Sequence, residues 1–431
     1  MPPLFLLRDP VFRAFLIANM AERFGAAAMT VLLGFQVYEL THNPLNLAWL
    51  GLVEAVPGIS LVLYGGHVAD RHSRRRIMLA ATALLAALAA GAALVSGQGQ
   101  RHALHFLFLL AFLAGAVRAF DNPAASGLEA QVLPIQHMLP GIALLATTSR
   151  VADALGPLAG GLAWATLGPA WTYSAIALVF AASCAALLLG VPEQPLPNPG
   201  QNRQTAVQNI AEGIRYVARD QILLGSMLLD LFAVFFGGAT ALLPVFATTI
   251  LHVGPVGFGL LRSASAAGSL LAALLAGRLL PQRRAGQTLL AVIAGFGVSI
   301  VVFGLSRSLP LSLAALFVAG LCDGTSVVIR RAIQRLASPE GMRGRIAAVK
   351  SVFVGSSNEL GAFESGVAAS LLGASAAVWG GGLVTLGIVA GTAWLAPRLR
   401  RLDLVSLAQA GPAAMPGRGR SQEPQMPERT T

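Results

Sequence analysis

Long apolar runs separated by short polar turns fill most of the chain. Each run is about 20 residues long, the length that an α-helix needs to cross the hydrocarbon core of a bilayer. With glycine, proline and charged clusters taken as boundaries, the pattern predicts twelve transmembrane helices, at residues 14–38, 45–69, 77–97, 103–122, 141–166, 170–190, 222–249, 256–280, 286–305, 309–332, 346–371 and 374–396. The fold is therefore predicted to be that of an all-α membrane protein.

A polar stretch in the middle of the chain divides these helices into two groups of six. Its proline- and asparagine-rich start is typical of a linker. Further along, apolar residues recur at helical spacing and favour an amphipathic helix on the membrane surface, at Val207, Ile210, Ile214 and Val217. We expect four segments: an N-terminal six-helix bundle over 1–191, a cytoplasmic linker over 192–221, a C-terminal six-helix bundle over 222–397 and a disordered cytoplasmic tail over 398–431.

The two groups of helices carry short matching patterns. Glu22 and Asp230 correspond at an offset of 208 residues, as do the phenylalanines that follow each of them by two positions. "LGPLAGG" on the fifth helix and "LGAFESG" on the eleventh align two glycines each at an offset of 205 residues, Gly156 and Gly161 with Gly361 and Gly366. These matches favour a transporter built from two parallel repeats.

Composition and charge narrow the class further. The chain is 55% hydrophobic and only 11% charged, with a net charge of +11. If the helices alternate in direction, most arginines fall at one face, with only Arg101 and Arg307 at the other. The positive-inside rule then places both termini in the cytoplasm and explains the net charge without a nucleic-acid partner. Cys184 and Cys322 lie inside apolar helices, so we expect buried thiols and neither a metal site nor a cofactor.

The turn after the second predicted helix, "GGHVADRHSRRR", concentrates charge. Asp70 lies at the C-terminal end of that helix, where the helix dipole is already negative, so its carboxylate needs a positive partner. Arg71 and Arg74 can supply one, as can the N-terminus of the eleventh helix. Gly65 and Gly66 remove side chains one turn earlier and permit close helix contact. The set Gly66, Asp70, Arg71 and Arg74 is predicted to form an electrostatic latch between the two halves.

Ionisable residues inside the predicted spans are costly unless they face a cavity or a partner. We predict that Glu22, Glu54 and Asp230 take up and release protons, because each lies within a span. Further charged and polar residues inside or near the spans are candidates for a substrate cavity, namely Asn19, Arg118, Asp121, Arg150, Asp153, Asp323, Arg330, Asn358, Glu359 and Glu364.

A structural interpretation stands beside this one. Arg118 and Asp121, like Arg150 and Asp153, are three residues apart and would share one helix face, so each pair could simply be neutralised by its own ion pair. Glu22 is followed by Arg23 and could likewise be structural.

Several sequence motifs resemble those of a known family. "GHVADRHSRRR" resembles the loop signature between helices 2 and 3 of the major facilitator superfamily, in which it helps to hold the state that is closed to the cytoplasm. "GPLAGG" resembles the end of the helix-5 signature of facilitator antiporters and predicts a helix-packing motif of Gly156, Pro157, Gly160 and Gly161. "MRGR", "SNELG" and "FESG", with "LLPVFA" on helix 7, resemble the bacterial subgroup that includes the enterobactin exporter and related multidrug effluxers.

The resemblance implies a monomeric, multi-pass protein of the inner membrane that exports a small amphiphilic molecule by alternating access, in exchange for protons. A siderophore and a drug are both compatible substrates. The chain lacks the "GxxxxGK[ST]" loop of ATP-driven proteins, so it offers no ATP site of that kind. A non-transporting receptor or scaffold is the alternative, and a lipid-modifying membrane enzyme is less favoured because His67 and His72 near Asp70 match no metal or nucleophile spacing.

Overall fold

The computed structural model describes residues 3–96, 100–133, 135–195, 206–279, 281, 283–339 and 342–410, and every regular element within these ranges is a helix. Nine of the described helices are long and apolar enough to cross a membrane, or ten if one bent pair counts as a single span. The prediction of an all-helical, multi-pass membrane protein is therefore confirmed. The count of twelve spans stays a prediction.

The first half begins with a 3-10 turn at Pro3–Arg8, and its long first helix is capped at the N-terminus by the Asp9 carboxylate. Its helices are α1 (Pro10–Thr41), α2 (Pro44–Ser60), α3 (Val62–Arg71), α4 (Arg74–Val95), α5 (Gln100–Val132) and α6 (Met138–Gly190), with a short 3-10 turn at Ile135–His137 before α6. The predicted helix over 45–69 is bent by 48° between α2 and α3. Pro57 lies one turn before the bend and cannot donate to the helix ladder there, which is a common cause of kinks.

Helix α6 reverses direction in its middle. Gly168 has φ 78° and ψ 173°, a conformation outside the helical region that glycine adopts readily. After it, the Tyr173 hydroxyl donates to the Gln36 side chain, and the Ser183 hydroxyl donates to the Ala18 carbonyl. The segment beyond Gly168 therefore runs antiparallel to α1. The two predicted helices 141–166 and 170–190 are both present, as the two arms of a hairpin.

The second half follows the linker helix α7 (Ala206–Arg219). Its elements are α8 (Gln221–Phe236), a 3-10 turn (Ala239–Leu242), α9 (Leu243–Val245), a π-helical turn (Phe246–Ile250), α10 (Gly254–Leu274), α11 (Ala276–Leu279), α12 (Ala285–Leu305), α13 (Leu309–Ala337), α14 (Arg343–Leu372), α15 (Ala374–Leu395), α16 (Pro397–Arg400) and α17 (Leu404–Ala410). The predicted helix over 222–249 is interrupted after Phe236, where two glycines follow. Glycine is a poor helix former, so the break falls where the sequence favours a helix least.

The halves meet along two helix pairs, α6 with α10 and α2 with α14. A Cβ atom added at Gly156 would lie 2.7 Å from a backbone oxygen of α1, and one added at Gly361 would lie 2.7 Å from a backbone oxygen of α8. Cβ atoms at Gly161 and Gly366 would instead collide with α10 and α2, across the boundary between the halves. Each glycine pair thus closes one contact within its own half and one with the other half. This geometry supports the predicted internal repeat.

The predicted amphipathic linker helix is formed as α7, but it docks on the second half. Glu212 pairs with Arg345 of α14, and Val217 is buried while Ile214 is 44% exposed. The side chains of residues 207 and 210 and the linker residues 196–205 lie outside the described part of the chain. A surface helix needs one apolar face covered, and α14 together with α8 covers it here.

The prediction of a disordered tail over 398–431 is wrong for residues 398–410. This stretch forms α16 and α17, and Leu399, Leu402, Leu404 and Leu407 are buried against the second half. Four leucines within nine residues provide an apolar face that a composition average over the whole tail conceals. Residues 411–431 lie outside the described residues.

Candidate functional site

A cavity of about 740 Å³ lies between the two halves. Most of its wall comes from α1, α5 and α6 of the first half, and α10 and α13 of the second half complete it. Seven of the residues that the sequence singled out line this cavity: Asn19, Glu22, Glu54, Arg118, Asp121, Arg150 and Asp153. One chamber thus gathers charged side chains from four helices of the first half, α1, α2, α5 and α6, although they are up to about 130 positions apart in the chain.

The cavity reaches one end of the molecule. Glu129 and Ile142, which lie next to the turn between α5 and α6, belong to its wall. The same end carries Arg74, Arg75 and Arg76 at the start of α4, and we call it the basic end. The Arg75 guanidinium donates to the carbonyls of two of the last residues of α6, Leu187 at 3.2 Å and Leu188 at 2.8 Å. Such bonds satisfy carbonyl groups that a helix end otherwise leaves unpaired.

Aromatic side chains close the opposite end, here called the sealed end. Phe35 of α1 stacks on Phe258 of α10 with ring centroids 5.3 Å apart, and Trp164 packs edge-on against Phe35 at 5.9 Å. The hydroxyls of Tyr38 and Thr249 are 2.8 Å apart and form a hydrogen bond. Both the ring stack and this bond join the two halves, so access to the cavity is blocked at this end.

Three acids gather on the first-half wall. Glu22 of α1 interacts electrostatically with Asp121 of α5 and Asp153 of α6, and Arg23 is the positive group beside them. Asp121 is only 7% exposed, and its Oδ1 atom has no hydrogen-bond partner among the described residues. Asp153 also interacts with Arg262 of α10, which lies across the boundary between the halves. Two neighbouring carboxylates, Glu22 and Asp121, are therefore left with one arginine.

Glu54 of α2 is paired. Arg118 of α5 donates to its Oε1 atom at 2.6 Å, and the Glu54 side chain is 12% exposed. The backbone approach of α2 and α5 makes this contact possible, because a Cβ atom on Gly115 would collide with the Glu54 carbonyl. The structural alternative was that Arg118 neutralises Asp121 on its own helix. The Oδ1 atom of Asp121 accepts no hydrogen bond from Arg118.

Arginines dominate the opposite wall. Arg150 of α6 and Arg331 of α13 both line the cavity and interact electrostatically across the boundary between the halves. Asp323 of α13 interacts with Arg150 of the first half as well as with Arg330 of its own helix. The charges are therefore unevenly distributed: carboxylates outnumber arginines on the α1, α2 and α5 side, and arginines outnumber carboxylates on the α6 and α13 side.

Asp230 lies outside the cavity wall. Arg330 of α13 forms an ion pair with its Oδ1 atom, and the two side chains are 10% and 5% exposed. Arg330 also lies 4.0 Å from Asp323. The acid that matches Glu22 in the repeat is therefore held in a buried ion pair of the second half.

Asn358 and Glu364 of the eleventh helix are not among the described residues that line the cavity. Asn358 is exposed, and the Glu364 carboxylate accepts a hydrogen bond from the Ser365 hydroxyl at 3.5 Å. The side chain of Glu359 lies outside the described residues. Asp230, Asp323 and Arg330 are likewise absent from the wall of this cavity, whereas Arg331, next to Arg330, belongs to it.

Among the described residues, Asp70 has no ion-pair partner in the second half. Its side chain is 77% exposed, and its ion-pair partner among the described residues is Arg74, at 3.9 Å on the next helix. Arg74 donates more closely to the Gly127 carbonyl of α5, at 2.9 Å, and Arg71 is exposed. The contacts of the latch residues therefore stay within the first half, and the latch across the halves remains a prediction.

The glycines of these two motifs differ in what they contact. A Cβ atom on Gly65 would collide with the Ala119 carbonyl of α5, whereas one on Gly66 would meet nothing within 4 Å. The close approach of α3 to α5 thus depends on Gly65. In the helix-5 motif, Gly156, Gly160 and Gly161 all lie against neighbouring helices, and the Pro157 carbonyl faces Gly259 of α10.

Sequence reasoning missed three charged residues of the wall, Arg23, Glu129 and Arg331. Arg23 was treated only as a neighbour of Glu22, and the other two were not singled out. Arg331 follows the candidate Arg330 by one position, and a step of about 100° around the helix decides that Arg331 faces the cavity. The described residues contain no group of three or more His, Cys, Asp or Glu side chains that could hold a metal ion.

Comparison with known proteins gives three findings. Residues 2–417 match a family described as transmembrane secretion effectors. The enterobactin exporter EntS of Citrobacter koseri is 25% identical over 390 residues, which cover 89% of this chain and 92% of that exporter. The EntS protein of Escherichia coli O1:K1 is 24% identical over the same length.

Solved structures share the fold at low sequence identity. A peptide transporter POT in complex with sulfate superposes with a TM-score of 0.71 at 16% identity, over 92% of this chain and 96% of that one. A bacterial homologue of the human lysosomal transporter Spinster, in an inward-facing and occupied conformation, gives a TM-score of 0.69 at 15% identity, over 92% and 99%. These structures establish the likeness of fold alone.

Proposed function

Since this chain belongs to the transmembrane secretion effector family of the major facilitator superfamily, we propose that it is a secondary active transporter of the inner membrane that exports a small amphiphilic molecule in exchange for protons. The single observation that carries the proposal is the charged cavity between two halves, reached from the basic end and closed at the sealed end. Alternating access requires a central site of this kind, bounded by two bundles that move against each other.

The distribution of arginine supports an orientation. Clusters of arginine favour the cytoplasmic side of a membrane, so the basic end is placed in the cytoplasm together with both termini. The cavity then faces the compartment from which an exporter loads its substrate. Twelve spans follow if the two arms of α6, the bent α2–α3 pair and α14 each count as assigned from the sequence.

This orientation also accounts for the state of the latch. Gly66, Asp70, Arg71 and Arg74 lie at the basic end, and a latch that holds the cytoplasmic side closed should be undone when the cavity faces the cytoplasm. The exposed Asp70 side chain agrees with such a state.

The substrate class is taken from the relatives. Two of them are named as enterobactin exporters, which favours a siderophore or another small amphiphile with polar groups. A cavity lined by both carboxylates and guanidinium groups fits a molecule of that kind better than a purely apolar compound. We further propose that Glu22, Glu54 and Asp230 contribute to proton coupling and that the transporter acts as a monomer.

Uptake into everted membrane vesicles tests this function. Enterobactin and the fluorescent cation ethidium are supplied outside, with and without an imposed pH gradient that is acidic inside, and accumulation is compared with vesicles that lack the protein. Gradient-dependent accumulation of either compound is expected, and its reduction in Glu22→Gln, Glu54→Gln or Asp230→Asn, in a variant that keeps the stability of the native protein, would assign the coupling acid. Accumulation that equals the empty vesicles for both compounds, with the protein present and folded, would favour the receptor or scaffold alternative for these substrates.

A further inference from the structure

Glu22 of α1 and Asp121 of α5 differ from two other acids of the cavity, Glu54 and Asp153. Glu54 has Arg118 as a hydrogen-bonded partner, and Asp153 has Arg262 opposite it. Glu22 and Asp121 instead interact electrostatically with each other, and among the described residues Arg23 is the positive group that acts on both. This local group of three carries two negative charges and one positive charge.

Asp121 supplies an independent observation. It is more than nine-tenths buried, it belongs to the cavity wall, and its Oδ1 atom accepts no hydrogen bond from any described residue. A buried carboxylate oxygen without a donor is costly, and such atoms in native proteins call for a specific explanation. A proton on this carboxyl pair removes the cost, because it supplies the missing O–H donor and cancels the excess charge.

We propose that Glu22 and Asp121 form a carboxyl pair that binds one proton, and that this pair is the site at which the exchanged proton enters and leaves the transport cycle. The inference rests on the proposed function and makes it more specific. Binding forms one O–H bond on either carboxylate, with the proton taken from water in the cavity, and release returns it to water. With one proton bound, Glu22, Asp121 and Arg23 are neutral as a group.

The surroundings of the pair explain why a single proton suffices. From α6 the group is faced by Asp153, which repels it but is balanced by Arg262 of α10. From α2 and α5, Glu54 and Arg118 neutralise each other. Arg150 and Arg331 belong to the opposite wall. When two carboxylates share a site, ionisation of both is disfavoured, whereas the first of them ionises readily beside an arginine.

Access to the pair is one-sided. The cavity connects it to the basic end, while the Phe35 and Phe258 stack closes the sealed end. A proton can therefore exchange with only one compartment in this state. Exchange with the other compartment requires the halves to rock and the aromatic rings to part, which couples the proton to the movement of the protein.

Infrared difference spectroscopy of the full-length protein in liposomes tests the pair directly. A protonated carboxyl gives a C=O stretching band, which exposed acids have lost at neutral pH because they ionise near pH 4. We expect the native protein to show such a band at neutral pH and to lose it in alkali. Glu22→Gln and Asp121→Asn should each lose most of the band at neutral pH, because the remaining acid then pairs with Arg23 alone. Glu129→Gln, which changes another cavity acid two turns further along α5, should keep it.

The outcomes separate this inference from the proposed function. Size-exclusion chromatography first verifies that each variant is folded and monodisperse, and Asp121→Glu, which restores a carboxyl, should recover the band. A band that survives in both Glu22→Gln and Asp121→Asn, or that disappears in Glu129→Gln, overturns the pair. Gradient-driven transport that persists in both Glu22→Gln and Asp121→Asn overturns the carboxyl pair as the coupling site. A normal band without gradient-driven transport in the native protein refutes proton exchange and leaves the pair intact as a proton site.

Discussion

Replacement of Asp230 by asparagine should destabilise the second half of the protein. Asp230 and Arg330 form an ion pair whose side chains are 10% and 5% exposed, so the variant leaves an arginine charge in an interior that water hardly reaches. Removal of one partner from a buried pair costs about 3–5 kcal/mol. Asp323 stays 4.0 Å from Arg330 and offers a second, more exposed carboxylate. We therefore expect a loss near the lower end, about 3 kcal/mol.

The matched double variant separates the lost interaction from the buried charge. In Asp230→Leu combined with Arg330→Met, both charges are gone and apolar groups fill the space, so most of the stability should return. An exposed pair provides the control, since Arg76 and Glu193 lie 2.7 Å apart with side chains 73% and 48% exposed. Glu193→Gln should cost at most about 1 kcal/mol.

Unfolding in mixed micelles with increasing sodium dodecyl sulfate, followed by tryptophan fluorescence, measures these differences. Equal losses of stability in Asp230→Asn and Glu193→Gln would refute the argument from burial. A double variant that is less stable than Asp230→Asn would refute the argument from unpaired charge. A large loss in Asp230→Asn would also mean that lost transport in this variant cannot by itself assign Asp230 as a coupling acid.

Three further predictions concern the interface and the ends of the molecule. Gly259→Val places a side chain against the backbone of α6, where even a Cβ atom would lie 2.7 Å from an oxygen atom, so the variant should open the sealed end. The opening should raise maleimide labelling of a Thr249→Cys reporter in a background without native cysteines. Phe35→Ala removes the ring that seals the two halves and should raise the same labelling, together with a loss of about 3–5 kcal/mol in stability. Arg75→Ala removes two donations to the last carbonyls of α6 and should lower the free energy of unfolding by about 1–3 kcal/mol.

Each of these variants has a matched control. Gly391→Val adds a side chain where nothing lies within 4 Å and should leave labelling unchanged. Trp171→Ala is the control for Phe35→Ala, because it removes an aromatic ring that is 71% exposed. Arg71→Ala is the control for Arg75→Ala, because it removes an exposed guanidinium from the same basic turn. Their effects on stability should stay within about 0.5 kcal/mol. Labelling or stability that changes as much in a control as in its partner would contradict the corresponding contact.

The elements of this fold could be predicted from the sequence because lipid imposes one-dimensional rules. Apolar runs must be long enough to span the bilayer and must form helices to satisfy their backbone. The span assignments, the mid-chain linker helix and the family membership follow from such patterns, and the family match confirms the last of these. The disordered tail was predicted wrongly at Leu404 and Leu407 because composition averages over a long segment hide a short apolar face.

The partners of the charged side chains could not be predicted from the sequence. Glu54 was singled out because it lies within a predicted span, yet Arg118, 64 positions away, donates to it. Asp230 was grouped with Glu22 through the repeat, but it is buried against Arg330 while Glu22 lines the cavity. Local spacing identifies which residues share a helix face and carries no information on which neighbouring helix that face meets.

The sequence by itself thus determined that the chain is a bundle of membrane helices in two related halves, with charges placed where lipid makes them costly. Only the tertiary structure decided which of those charges neutralise each other and which are left over. The physical reason is that hydrophobic burial depends on the periodicity of one helix, whereas an ion pair depends on the distance between atoms that different helices bring together. Glu22 and Asp121, about 100 positions apart in the chain, become neighbours only when α1 and α5 pack side by side.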